Sequence, residues 1–401
     1  MTKSVEEVRA DIPFLHTGAI YLDSAATTPT PEPVLDTMFD YYREYSANVG
    51  RGLHRAAKQA TERFEGVREK IARVINAKAV EIAYTKNTTE AINIVARGLN
   101  LKKGDKIVTS VFEHHSNLLP WQRLVHEKGV KLELIGKSGE CFLDPSEFEA
   151  AIDKRTRLIA THHVSNAMGN IQPVEEIGKL AKEHGVMYLV DAAQSVGHMP
   201  VDVKAMGCDF MAAPGHKGLL GPQGTGFLYI GESIICDIEP LLVGGGVVEE
   251  FEPHGSKLVE PPRVFDGGTP NISGIIGLGR ACDYVLDIGI EKIADRERKL
   301  TEQMLKIDKV NGVIVFGPRD LMRRGGLVSF NIEKLEHHDV ASMLDELANI
   351  AVRSGHHCAQ PTMRHIGISG TVRASVHYFN LEQEIAKFVE LVEQIAGELG
   401  G

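Results

Sequence analysis

"VMYLVDAAQSVG", residues 186–197, and "DFMAAPGHKGLLGPQG", residues 209–224, decide how this chain is read. Each opens on a short apolar run and then breaks into small residues. Each break carries one chemically versatile side chain, Asp191 in the first and Lys217 in the second. Short apolar runs bounded by turn signals read as buried strands. Charged groups released at such strand ends lie where an open α/β sheet binds its ligands. The plain alternatives are an N-cap at Asp191 and a surface lysine in a turn at Lys217. Glycine and proline, however, fix a backbone or bring it close to something, and a surface lysine needs neither.

Outward from these two breaks, helix and strand patterns alternate from about residue 60 to 230. "ATERFEGVREKIARVINA", "TEAINIVARGLN", "NLLPWQRLVHEKG" and "VEEIGKLAKEHG" have helical periodicity, whereas "EIAYT", "KIVTSVF", "KLELIG", "RLIATHHV" and "TGFLYI" read as strands. This alternation predicts an α/β domain with a mostly parallel sheet and helices on both faces. After about residue 285 the rhythm changes. Two long amphipathic helices, "IEKIADRERKLTEQMLKI" and "EQEIAKFVELVEQIAGEL", flank short strands such as "GLVSFNI" and "TVRASVH", as in a smaller α+β domain. The boundary is expected inside or just after a helix that starts near Ile272.

The 401 residues carry a net charge of −10, which argues against a broad nucleic-acid-binding surface. At 43% hydrophobic and 24% charged, the composition is that of a soluble globular protein. No apolar run reaches the length of a membrane span, and the amino terminus lacks the apolar core of a signal peptide. Cys141, Cys208, Cys236, Cys282 and Cys358 are scattered and odd in number, which predicts no disulfide framework and a reduced, cytoplasmic protein.

The chemistry-bearing residues follow strand ends. A buried lysine with a lowered pKa forms Schiff bases with carbonyls, and an aspartate facing a pyridine nitrogen is its usual partner in pyridoxal 5′-phosphate (PLP) sites. Thr88 and Thr89 open a helix and either cap it or cradle a phosphate. His114 stands just after a strand, placed to stack on a planar group or move a proton. Histidines also pair at 162/163, 337/338 and 356/357, but neighbours on a strand point to opposite faces. No HExxH or CxxC spacing marks a metal site, and none is expected. "VRSGHHCAQP" sets Cys358 among Arg353 and two histidines, where cationic neighbours favour a thiolate. Arg373, in "TVRASVHYFN", either holds a carboxylate with two parallel hydrogen bonds or makes a surface salt bridge.

Taken together, "LDSAATTPTP", "TTEAINIVA", "FEHHSNLLPW", "THHVSNAMGN", "LVDAAQSVGH", "GHKGLLGP", "GGTPNISGIIGLG", "RSGHHCA" and "VRASVHYFN" resemble, in this order, the class V aminotransferase-fold enzymes. The likeness spans nearly the whole chain. Within that fold the chain resembles the group II cysteine desulfurases, which serve SUF-type iron–sulfur assembly and are similar to selenocysteine lyases. The resemblance implies PLP-dependent transferase fold type I, with a large domain over residues 16–285 around a mostly parallel seven-stranded sheet. A small α+β domain would comprise residues 1–15 and 286–401. Lys217 would carry PLP and shuttle a proton, Asp191 would pair with the ring nitrogen, Gln194 would face the ring hydroxyl, and His114 would stack on the ring. Thr88, Thr89 and His216 would bind the phosphate, and Thr269 would reach the phosphate of the other subunit of a homodimer. Asn166, Arg353 and Arg373 would hold the carboxylate of L-cysteine. Cys358 would take the sulfur as a persulfide and pass it to an acceptor, a SufE- or SufU-like carrier or an iron–sulfur scaffold. Selenocysteine lyase, or another PLP reaction on the same fold, is the alternative, and transamination has no need of Cys358. A sulfur-trafficking scaffold without turnover is the third reading; it has no need of Lys217, Asp191, His114 and Cys358 together. Two positions depart from the family pattern: Pro214 where a hydroxyl residue is common, and Gly50 where many members have histidine.

Overall fold

Val190 and Met211 belong to one apolar cluster, Leu189 and Phe210 to another, and all four are fully buried. Adjacent strand residues point to opposite faces, so a sheet that buries both must be covered on both sides. The computed structural model, which describes residues 3–137 and 139–399, places them in a seven-stranded sheet. Its strands are β1 (Ile82–Thr85), β2 (Lys106–Ser110), β3 (Lys131–Ile135), β4 (Thr156–His162), β5 (Met187–Asp191), β6 (Phe210–Pro214) and β7 (Gly226–Ile230). They lie in the order β1-β7-β6-β5-β4-β2-β3. The run β6-β5-β4-β2-β3 is parallel throughout, and only β7 pairs antiparallel, with β6 on one side and β1 on the other.

Helix α1 (Thr88–Gly98) leaves β1 with Asn87 as its N-cap, whose side chain accepts the Glu90 amide. The stretch 60–77, expected as one helix, is broken at Gly66 into Arg55–Glu65 and Val67–Val74. Nor does a helix begin at Asp191. The next one, Val203–Met206, is capped by Asp202, so the capping role of Asp191 falls away.

Helix α2 (Ile272–Ile288) meets α3 (Ile290–Met304) at Gly289, whose φ is +96°. Beyond it stand β8 (Val313–Phe316), β9 (Leu327–Ile332), β10 (Arg353–Gly355) and β11 (Thr371–Ser375), an antiparallel sheet in the order β8-β9-β11-β10. Val328, Phe330, Val372 and Ala374 pack there with Leu300 and Met304 of α3 and with Phe388 and Val392 of α4 (Glu382–Leu399). Each large side chain buried this way contributes about 1.5–3 kcal/mol. The amino-terminal segment crosses both bodies: Val8, Ile12 and Leu15 join a core of the large sheet, while Ile20 and Leu22 join the second core.

Candidate active site

The carboxyl ends of the parallel strands open on a cavity of about 300 Å³. Asp191 closes β5, and its Oδ1 accepts the Ala193 amide at 3.0 Å. Lys217 stands just beyond β6 and faces the same space. The glycines around it answer to crowding by the protein's own backbone. A Cβ on Gly218 would fall 2.4 Å from the Val196 carbonyl oxygen and 2.6 Å from His198 Cδ2. Gly197, at φ +86°, would set a Cβ 2.3 Å from the Gly218 carbonyl carbon. The turn after β5 and the turn after β6 therefore touch main chain to main chain, which fixes Lys217 relative to Asp191.

Around them the cavity gathers Thr88, Thr89, His114, Asn166, Gln194, His216, Arg353, Cys358 and Arg373. Thr88 Oγ1 is buried without a partner at the start of α1, and Thr89 Oγ1 hydrogen-bonds Ser116 Oγ at 2.7 Å. His114 accepts the Ser116 amide at Nδ1, at 3.1 Å. Gln194 donates to the Ala25 carbonyl at 2.8 Å, and His216 Nδ1 lies 3.3 Å from Thr27 Oγ1. Pro214 lines the wall as well. Thr269 is not brought in: it is exposed and lines a separate pocket with Glu90 and Leu242. Gly50 adopts φ +98°, a conformation that disfavours the family's histidine there.

The second body supplies the opposite wall. Arg353 and Arg373 are register partners on β10 and β11. Arg373 donates to the Asn166 carbonyl at 2.9 Å and to Asp23 Oδ1 at 3.0 Å, and its buried Nε has no partner. The Asn166 amide donates to the His357 carbonyl at 2.7 Å, tying the large sheet to the Cys358 loop. His357 and Cys358 are both left-handed, at φ 52° and 57°. His356 Nδ1 accepts the Cys358 amide at 3.0 Å, and the His115 amide donates to the Cys358 carbonyl at 2.9 Å.

The model of the Aminotransferase class-V family matches residues 20–388. The chain belongs to that family. The chain is 49% identical, over 98% of each chain, to a probable cysteine desulfurase of Methanothermobacter thermautotrophicus. It is 51% identical, again over 98% of each chain, to a probable cysteine desulfurase of Pyrococcus abyssi. Among solved structures, apo cysteine desulfurase from Thermococcus onnurineus NA1 superposes with a TM-score of 0.96 at 48% identity, each chain covered in full.

The charges of the site fit a phosphate-bearing carbonyl compound. Burial lowers the Lys217 ammonium from 10.5 to about 8, with Asp191 opposing the shift. Although the side chain keeps some accessible surface, that surface opens on the cavity, and the surrounding walls desolvate it. Burial raises Asp191 to about 6, against the Ala193 amide and the Lys217 charge. His114 falls to about 3 and His216 to about 4, each through burial first and Lys217 second. Both imidazoles are thus neutral hydrogen-bonding rings at neutral pH. The orphaned Thr88 hydroxyl and the opening turn of α1 suit an anion.

Several residues of the wall escape a reading of the sequence. Asp23, partner of Arg373, sits in "LDSAATTPTP" with no local sign of its role. Glu113 is fully buried and holds His162 at 2.8 Å, Ser110 at 2.7 Å and Asn117 at 2.8 Å beneath the cavity. Burial works against the His162 imidazolium, but the Glu113 carboxylate more than offsets it and raises the pKa. Cys236 is exposed, whereas Cys141, Cys208 and Cys282 are buried.

Proposed function

We propose that this protein is a PLP-dependent cysteine desulfurase, converting L-cysteine to L-alanine and leaving the sulfur on Cys358. The observation that carries this is one cavity holding a desolvated lysine, a buried carboxylate, two arginines and a partly exposed thiol. Lys217 would hold PLP, with Asp191 at its ring nitrogen, Gln194 at its hydroxyl, His114 on its face, and Thr88, Thr89 and His216 at its phosphate. When bound, the cofactor supplies an electrophilic carbonyl and an electron sink for the substrate's α-carbon. Arg353 and Arg373 hold the α-carboxylate, and Asn166 joins that anchor to the Cys358 loop. Lys217 Nζ, neutral above about pH 8, takes the α-proton as general base. Cys358 Sγ attacks the substrate sulfur. The C–S bond breaks as the S–S bond forms; Cβ takes the proton released by the thiols, Lys217 returns the α-proton to Cα to complete alanine, and Cys358 is left as a persulfide.

We propose further that the chain is cytoplasmic, works as a homodimer and hands its sulfur to an acceptor protein for iron–sulfur assembly. Free cysteines and the absence, among the described residues, of a helix able to cross a membrane support the first. Thr269 stands exposed beside exposed Leu242 and Val243, which supports a second copy there. We propose a division into residues 16–285 and 1–15 with 286–401, which the Arg9–Glu384 ion pair at 2.8 Å supports, while Val8, Ile12 and Leu15 on one side and Ile20 and Leu22 on the other pack across it.

The deciding experiment adds L-cysteine to PLP-loaded protein and follows both the visible spectrum and alanine. Alanine formation that Cys358→Ala loses, with the visible band retained, is the expected result. Full turnover in that variant would remove the persulfide role, and a band without alanine would overturn the substrate.

A further inference from the structure

Beneath the Lys217 turn lies a polar group that the reaction leaves unused. His198, Glu297 and His377 are 9%, 4% and 0% exposed. They come from the turn after β5, from α3 and from the segment after β11. His198 Nδ1 lies 2.9 Å from Glu297 Oε1. The two imidazole rings are 5.0 Å apart. His377 Nε2 donates to the Gly218 carbonyl at 3.0 Å, and its Nδ1 accepts the Tyr378 amide at 2.8 Å. Ligand atoms of all three fall within 4.8 Å, close enough for a metal ion. Both nitrogens of His377 are already engaged by the backbone, however, so no lone pair remains for one.

We propose that Glu297, His198 and His377 form a polar clasp that holds the Lys217 turn against the turn after Asp191, and that they are positioning residues for the Lys217 amine. His377 pins the carbonyl next to Lys217, and the His198 ring fills the space that a side chain on Gly218 would need. Glu297 orients that ring, and Gly326 leaves room for it, since a Cβ there would lie 2.7 Å from Glu297 Oε2. The titratable groups of the clasp face Lys217 from one side, and Asp191, Arg353, Arg373 and Cys358 face it from the cavity. Burial pushes Glu297 up to about 8 and holds His198 and His377 at about 4. Near neutral pH the Glu297–His198 pair therefore shares one proton across the 2.9 Å contact and carries no net charge. The clasp acts by position rather than by charge, so a neutral amide can replace either end. Loosening it admits water to Lys217 and weakens the desolvation that lowers its pKa.

The inference rests on Lys217 as the PLP-bearing amine. Borohydride reduction of loaded protein with peptide mapping tests that point separately, because a label elsewhere defeats the proposed function without touching the clasp. The clasp itself is read in PLP-free protein, from the pH dependence of Lys217 acetylation by acetic anhydride. In His377→Ala and Glu297→Ala the midpoint should rise by about one pH unit or more, and the dissociation constant for PLP by about tenfold. His377→Gln and Glu297→Gln should restore both. Alanine variants that melt earlier but keep the wild-type midpoint would reduce the clasp to ordinary packing and overturn it. Stoichiometric zinc, lost in His198→Ala, would overturn it in favour of a metal site.

Discussion

Lys217 and Cys358 face the same cavity, yet the backbones beneath them are held by different means. The Lys217 turn is jammed against the turn after β5, with glycines where any side chain would collide. The Cys358 loop carries two non-glycine residues in the left-handed region, at about 1–2 kcal/mol each. Polar ties offset that strain: Asn166 on the His357 carbonyl, His356 on the Cys358 amide, and the His115 amide on the Cys358 carbonyl. Each is worth about 0.5–1.5 kcal/mol. Close packing backed by hydrogen bonds to the Lys217 and Gly218 carbonyls fixes one reactive group, and hydrogen bonds against backbone strain fix the other. Changes at the first are therefore expected to be all-or-none, and changes at the second graded.

The sharpest contrast comes from Lys217→Ala, which should cut alanine formation from cysteine by about 10⁴-fold. Retention of even a few per cent of the wild-type rate would mean that another base serves the site. Arg373→Ala comes next. It removes the carboxylate anchor and strands Asp23, so KM for cysteine should rise about 10- to 100-fold; an unchanged KM would hand the anchor to Arg353 alone. Asp191 provides a pH test of the packed wall. Its buried carboxyl keeps a proton up to about pH 6, and a cationic ring nitrogen needs the carboxylate. Below pH 6 PLP affinity should fall about tenfold per unit through Asp191, a dependence that Asp191→Asn should erase. Equilibrium titration of PLP-free protein across pH 4.5–8 measures it. The mildest change is His356→Ala, which loses one tie to Cys358 and should slow persulfide formation about fivefold. A loss as large as that of Lys217→Ala would show that the loop, too, is all-or-none.

How much of this was legible follows from where each contact lies in the chain. Alternating periodicity reveals the α/β sheet, because side chains on one strand report their own burial. It cannot give the strand order, which depends on pairings between distant segments. Asp191 and Lys217 were visible because strand ends are local events. Asp23 was not, because its partner Arg373 is 350 residues away. For the same reason His198 and Glu297, 99 residues apart, leave no pattern in the sequence. The glycines near Lys217 signal a close approach. What approaches Gly218 is the turn carrying Val196 and His198, a neighbour that no local reading could supply.

β11 is the last strand of the chain, and it brings Arg373 to residues made long before it. Gly218 precedes its partner His377 by 159 positions, and Ala25, whose amide binds Ser375 Oγ, precedes that residue by 350. On the ribosome, the seven strands of the large sheet are all translated while one wall of the cavity is still missing. A nascent chain thus owns its lysine before it owns its arginine. If Arg373 anchors the substrate as proposed, capture waits on the end of translation, and a chain truncated before β11 is left with Arg353 alone on that wall.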